Sequence, residues 1–427
     1  MDFLAHPFWD KYIEYEERLD AHDRVFQLLE RIIHIPLHQY ARYFERYRSM
    51  AANRPTSSLA PADVITTMRH DIEGDSGAKP KQEADQEGEL RQRLDNFHLE
   101  IFHRTQTETT KRWTYEQEIK RPYYHVTELD EPQLSNWRRY LDFEELEGDY
   151  KRTKFLYERC LVTAANYDEF WLRYARWMKA RNDKVEEVRN IYQRASCLFV
   201  PIFKPTVRLR YAFFEDSLGY VAIARGILEA ILMNLPSHLE TIVALVNLDR
   251  RAQGVDAAMD VLKHHLDSSD TSVDTRGALT AEWARLVWEV KGQPEEARKI
   301  YQSQRHLYPD SKPFWSQWLF FELRQPSSAA QEPETHKRVK AVFQDIRKSN
   351  LSSDVVEEMA GYYLDYLQER GGPDAMKEHV QLETEIFGPS SLRTSLEAQT
   401  ADDGSATQSR KVLEDGRSGA ETDESVV

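Results

Sequence analysis

Two cysteines in 427 residues provide neither a disulfide framework nor a thiolate metal site. Cys160 and Cys197 are both expected at inward-looking helix positions, as small buried apolar groups in a reducing compartment. No apolar run approaches the roughly 18 residues that span a bilayer, and no secretory signal precedes Phe8-Trp9, so neither a membrane partner nor export is expected. A GxxxxGK[ST] phosphate loop is missing. The one Asp-Asp pair, Asp402-Asp403, sits in a Ser/Thr/Gly-rich tail rather than on a helix, which disfavours a helical enzyme built on an Asp-rich magnesium site. Gly74-Asp75-Ser76-Gly77 echoes the loop around a serine nucleophile, but no strands surround it to build an oxyanion hole. His34 and His38 are separated by Pro36, and His264-His265 are adjacent, so neither pair aligns on one helix face for a metal. No catalytic residue, cofactor or metal is expected.

What is present is a pattern written repeatedly. Trp137, Tyr140 and Glu144 are followed, after a Gly148-Asp149 break, by Lys154-Phe155-Leu156-Tyr157-Glu158-Arg159-Cys160. Thirty-four residues after Trp137 the cycle restarts with Trp171 and Tyr174, breaks at Asn182-Asp183, and returns with Arg189 to Ala195 around Tyr192. Spacings of three, four and seven put residues on one helix face, so each cycle predicts two amphipathic helices joined by a turn. Such units have no cores of their own and stack into one body. The expected class is therefore all-α, an α-solenoid of tandem helix-turn-helix repeats of the HAT/TPR type, read as a single long domain.

The array opens with Trp9, Tyr12 and Glu16 in residues 1–50, where no polar capping repeat precedes it and thin cover is expected. Residues 51–90 mix Pro, Ser, Gly and acidic side chains and predict a mobile acidic insertion. The central repeats occupy 91–311, beginning with a helix of about 30 residues that Pro122 ends, and including Tyr211, Trp283 and Tyr301 as core aromatics. The C-terminal repeats, 312–386, open on Trp315 and Trp318. Residues 387–427 predict a disordered acidic tail. Of the net charge of −15, the stretch 70–90 carries −5 and the tail −4, leaving a mildly acidic body.

A base stands three residues before the helix-B aromatic or leucine in Lys154, Arg189, Arg225, Arg298 and Lys340. An acid recurs late in helix A as Glu16, Glu144, Glu215 and Glu322, replaced by Met178 and Val290 in two units. An acid seven residues beyond a core Trp faces inward and needs a cation or donor. Each such Glu is expected to meet a basic or tyrosyl group of its own or the next unit. For nucleic acid, the candidate contacts are Lys111, Arg112, Lys120 and Arg121, interleaved with Trp113, Tyr115, Tyr123 and Tyr124, although Glu116 and Glu118 interrupt the strip.

Trp-x-x-Tyr followed by Arg-x-x-Tyr-Glu-Arg resembles the half-a-TPR (HAT) repeat of RNA-processing proteins. Within that class, RIIHIPLHQYARYFERYR (Arg31–Arg48), KRPYYHVTELDEPQLSNWRRYLDFEE (Lys120–Glu145) and LYERCLVTAANYDEFWLRYARW (Leu156–Trp177) are similar to the pre-mRNA-processing factor 39 family. The resemblance implies a nuclear, non-enzymatic scaffold of the U1 small nuclear ribonucleoprotein (snRNP) that acts when the 5′ splice site is recognised. It implies contacts with U1 snRNP proteins, mostly indirect contact with RNA, and pairing through the C-terminal repeats with a second copy or a related repeat protein. The alternatives are a HAT-repeat scaffold of 3′-end cleavage or ribosome assembly and, from another class, an all-helical enzyme.

If the aromatic pairs are the core, Trp171→Ala should destabilise the fold by about 3–5 kcal/mol. A thermal melt read by circular dichroism would show it; an unchanged midpoint contradicts the packing scheme.

Overall fold

A computed structural model of the chain describes residues 3–75, 83–181, 184–326 and 331–388, and among them every regular element is a helix. The first five helices are α1 (His6–Arg18), α2 (His22–Ile32), α3 (Tyr40–Ala51), α4 (Ala62–Asp75) and α5 (Glu83–Gln117). Hairpins follow: α6 (Glu131–Glu147) with α7 (Tyr150–Thr163), α8 (Asp168–Lys179) with α9 (Val185–Arg194), α10 (Thr206–Ser217) with α11 (Val221–Asn234), and α12 (Leu239–Ala252) with α13 (Val255–Asp267). The last three are α14 (Val273–Arg285) with α15 (Pro294–Gln304), α16 (Lys312–Arg324) with α17 (Glu332–Lys348), and α18 (Ser353–Arg370) with α19 (Ala375–Phe387). The expected all-α repeat architecture is what forms. It divides into two compact units, Met1–Val207 and Arg208–Val427, rather than the single body the repeat period suggested.

The turns follow from local chemistry. Between α6 and α7, Gly148 adopts φ +79°, the left-handed conformation that ends a helix without a Cβ penalty, and its N–H returns to Glu144 O. Asp149 then caps α7 by accepting from the Arg152 N–H at 3.1 Å. Proline occupies the first turn of α6, α15, α16 and α17, where no intrahelical donor is needed.

The acidic segment 51–90 is not a structureless insertion. Where it is described it holds α4 and the start of α5, which begins at Glu83 rather than Arg91. Ile65, Ile72, Leu90 and Leu94 are buried with Leu59 in the cluster that also contains Ile13, Leu29 and Tyr47. The apolar periodicity is real but sparse, one residue per turn among acids, and so reads as loop. Arg91 ties this segment to α3 by donating to the carbonyls of Ala51 (2.8 Å) and Ala52 (2.6 Å), two of the acceptors left over at a helix C-terminus. Residues 76–82 and, of the predicted tail 387–427, residues 389–427 lie outside the described residues, as do Asn182-Asp183 and Asp402-Asp403.

Of the core aromatics expected, Trp137, Tyr157, Trp171, Tyr174, Tyr301, Trp315, Tyr140, Tyr211 and Trp9 are buried. Tyr192 and Trp283 are only partly buried, and Tyr12 is exposed. Cys160 is buried, whereas Cys197 is exposed, against expectation. The reason is a π-helical turn, Ala195–Phe199, closed by Val200 N–H to Ala195 O at 2.8 Å, which shifts the helical register around Cys197.

Candidate partner-binding surface

Within each compact unit the contacts between successive hairpins repeat, each made by the second helix of one hairpin and the first helix of the next. Tyr157 on α7 stacks on Tyr174 of α8, seventeen residues later, with centroids 4.7 Å apart and planes 14° apart. Tyr301 on α15 stacks on Trp318 of α16 at the same offset, 5.6 Å and 2°. Leu228 with Leu245, and Leu262 with Leu279, hold the same two positions as buried aliphatic residues. Longer connections carry the same stack in Tyr115 on Tyr140 (5.0 Å) and Phe343 on Tyr363 (4.8 Å).

Beside three of these six contacts lies a charge pair. Three residues before the helix-B ring is a base, and four residues after the helix-A ring is an acid. Arg298 Nε and Nη2 donate to Glu322 at 2.6 and 2.9 Å. Arg112 Nε and Nη2 donate to Glu144 at 2.5 and 3.1 Å, with both side chains almost fully buried. Arg225 pairs with the buried Asp249. The acid therefore meets the unit before its own, not its own or the next one. Burial alone would lower the Arg112 pKa, but its hydrogen bonds to Glu144 and Glu108 outweigh that and raise it. The hydrogen bond to Glu322 raises that of Arg298.

This register explains the departures from expectation. Tyr12 occupies the stacking position of α1 and is exposed. Glu16 reaches Arg24 of its own hairpin at 3.6 Å. Trp283, expected as a core aromatic, stands at the acid position, twenty-four residues after Met259. The two pack against the same hydrophobic cluster as an apolar replacement of the ion pair. Where only the acid is lost, to Met178 or Leu367, the base is a lysine and turns elsewhere: Lys154 to Glu187 (2.7 Å) and Lys340 to Glu378 (2.9 Å). Asp249 was missed, and its place twenty-four residues after Arg225 is the signal that finds it.

The Tyr-Glu-Arg part of the motif makes a second ladder in the first unit. Glu116 accepts the Tyr140 hydroxyl (2.8 Å) and both ends of the Arg159 guanidinium (2.6 and 2.7 Å). Glu158 accepts the Tyr174 hydroxyl (3.0 Å) and Arg194 (2.9 and 2.7 Å). Each arginine also lies over the tryptophan of its own hairpin, Arg159 over Trp137 at 6.0 Å and Arg194 over Trp171 at 5.3 Å. In the motif, then, the tyrosine stacks forward, the glutamate binds the following unit and the arginine binds the preceding one.

The four candidate RNA contacts do not form one strip. Arg112 is buried in its ion pairs. Lys111 is spent on Glu108 (3.2 Å) and Glu147 (3.2 Å). Arg121 is fixed to Thr127 Oγ1 (2.9 Å) and O (3.0 Å), and Lys120 alone of the four is an exposed cation without a salt bridge among the described contacts. Among the described residues no three His, Cys, Asp or Glu side chains gather as metal ligands, and no helix is long and apolar enough to cross a membrane.

Comparison with known proteins places this geometry in a family. Residues 1–49 match the family model "PRP39 N-terminal HAT repeat" and 110–251 match "PRP39 C-terminal HAT repeat". Pre-mRNA-processing factor 39 of Schizosaccharomyces pombe is 45% identical over 92% of this chain, which covers 67% of that protein. The chain belongs to the pre-mRNA-processing factor 39 family. Its Xenopus laevis member is 27% identical over 90% of the chain, which spans 61% of the frog protein's length, and the human member is 28% identical over 70%, with 47% of its length covered. Among solved structures, CSTF-77 superposes with a TM-score of 0.56 over 90% of this chain and 74% of its own, at 12% identity, and so shares the fold.

The charge network of this family member makes stability depend on acid. Burial opposes ionisation of Glu108, but hydrogen bonds from Arg152 and Arg112 hold its pKa down at about 2, below the ordinary 4.5. A depressed carboxyl pKa adds stability above its unfolded value and loses it as pH falls through the folded one. Stability should therefore decline between pH 4.5 and about 2 less steeply in Glu108→Gln than in the parent, read by urea unfolding at stepped pH. Parallel curves contradict the assignment.

Proposed function

We propose that this chain is a non-enzymatic scaffold of the U1 snRNP in pre-mRNA splicing, acting in the nucleus and supporting 5′ splice-site recognition through protein contacts of its HAT repeats. The observation that carries the reading is the 45% identity to the fission yeast pre-mRNA-processing factor 39 over nearly the whole chain. The structural character is consistent with it. The buried ion pairs recur between repeats, which suits packing better than chemistry. RNA contact is mostly indirect in this account, because two of the four candidate cations, Lys111 and Arg112, are already paired with carboxylates.

Pairing through Lys312–Ile386, with a second copy or a related HAT protein, belongs to the same proposal. The last helix, α19, leaves Met376 and Val380 exposed on one face among the described residues, an apolar stripe suited to a partner helix. A second reading, a scaffold of 3′-end cleavage, is favoured by the 28% identity to cleavage stimulation factor subunit 77 of Arabidopsis thaliana over 43% of the chain.

One experiment separates these. The tagged chain, co-expressed with an untagged copy, is recovered from nuclear extract and its RNA and proteins identified. U1 RNA with U1 proteins is the expected result, with untagged chain or a related HAT protein alongside. Recovery of cleavage factors without U1 RNA would replace the first reading with the second.

A further inference from the structure

In the first unit a cavity of about 430 Å³ opens between the turn that follows α2 and the outer face of α7. Its walls are apolar, from Phe3, Ile35, Pro36, Phe155 and Leu156. Phe155 is 40% exposed, although a phenylalanine on a packed helix is ordinarily covered. The floor is a closed charge network: Arg112 with Glu144 and Glu108, Arg152 with Glu108, and Arg159 with Glu116. Three arginines answer three carboxylates, so the floor adds no net charge.

The rim is different. Arg31 of α2 and Lys151 of α7 both line the cavity, and neither has a carboxylate partner among the described contacts. Arg31 lies over the Trp9 ring at 5.7 Å, and Lys151 is exposed one turn before Phe155 on the same face of α7. An apolar cleft with two uncompensated cations at its mouth complements an apolar side chain flanked by acid.

We infer that this cavity is a docking site for a peptide segment of a partner protein, an aliphatic or aromatic side chain seated against Phe155 and Ile35 with a neighbouring Asp or Glu carboxylate held by Lys151 and Arg31. The volume suits one or two side chains rather than a globular surface. Nucleic acid fits less well: the floor cations are saturated by carboxylates, and single strands need a track of unpaired cations with several open aromatic faces. The inference stands independently of the splicing assignment, since it concerns the chemistry of a ligand and not the particle that supplies it.

The test is selection from a random-peptide library on the full chain, followed by fluorescence polarisation with the enriched peptides. Lys151→Glu and Phe155→Asp change exposed side chains, and circular dichroism verifies that each variant keeps the parent fold; Lys151→Ala serves in place of any variant that does not. Enriched sequences should place Asp or Glu beside an aliphatic or aromatic residue, bind more weakly as salt rises, and lose at least about tenfold in affinity, or about 1.4 kcal/mol, with each substitution. Absence of enrichment, enrichment of basic or uncharged sequences, or affinities unmoved by the substitutions would overturn the inference. So would a short oligouridine RNA that displaces the peptides and itself depends on Lys151.

Discussion

The contact on which the rest of this molecule depends joins the second helix of one hairpin to the first helix of the next within each compact unit: a stacked or aliphatic pair, seventeen residues apart in four of the six contacts, flanked in three of them by a base and an acid. A single hairpin has little to bury alone, so its stability comes from neighbours. The apolar pair supplies the area removed from water. The ion pair is a poorer source of stability, because two desolvated charges recover their hydration only when the geometry is good. Its use is to set register: a buried carboxylate without its guanidinium is costly, so a slipped or rotated hairpin is penalised more than an apolar contact would penalise it. The chain also contains the apolar alternative, Met259 with Trp283, where base and acid are replaced together and the hydrophobic cluster continues. Where the acid alone is lost, the remaining base is a lysine, whose flexible ammonium finds Glu187 or Glu378.

Much of this was legible in the sequence, and for a physical reason. Tryptophan and tyrosine at helical spacing mark a buried face in most repeats, and Trp137, Trp171 and Trp315 lie there. The helical class followed from the same spacing, and the inward acids Glu144 and Glu322 from their distance to those rings. What was not legible depended on pairing across units. Trp283 carries the right side chain at the wrong place in the cycle, and only the position of Leu279 against Leu262 reveals that it replaces an acid. Asp249 was hidden because its unit has no aromatic residues to set the register. The acidic stretch around α4 misled for the opposite reason: Ile65 and Ile72 bury one narrow stripe, while the acids that dominate its composition face water.

The candidate site was legible least of all. Arg112 and Lys111 are adjacent in a basic, aromatic-rich stretch, yet one is buried against Glu144 and the other is paired at the surface with Glu147. Cations of this stretch are engaged in internal pairs that hold repeats together, so counting cations along it overstates what is offered to a partner.

The most direct test of the account is a double-mutant cycle across one junction, Arg298→Met and Glu322→Leu, with unfolding free energies measured for the parent, both single variants and the double. Each single change should cost about 3–5 kcal/mol by leaving a buried charge unpaired, and the double should cost less than the sum by about 2 kcal/mol or more. Additive costs, or single variants as stable as the parent, would contradict the claim that these pairs fix one hairpin against the next.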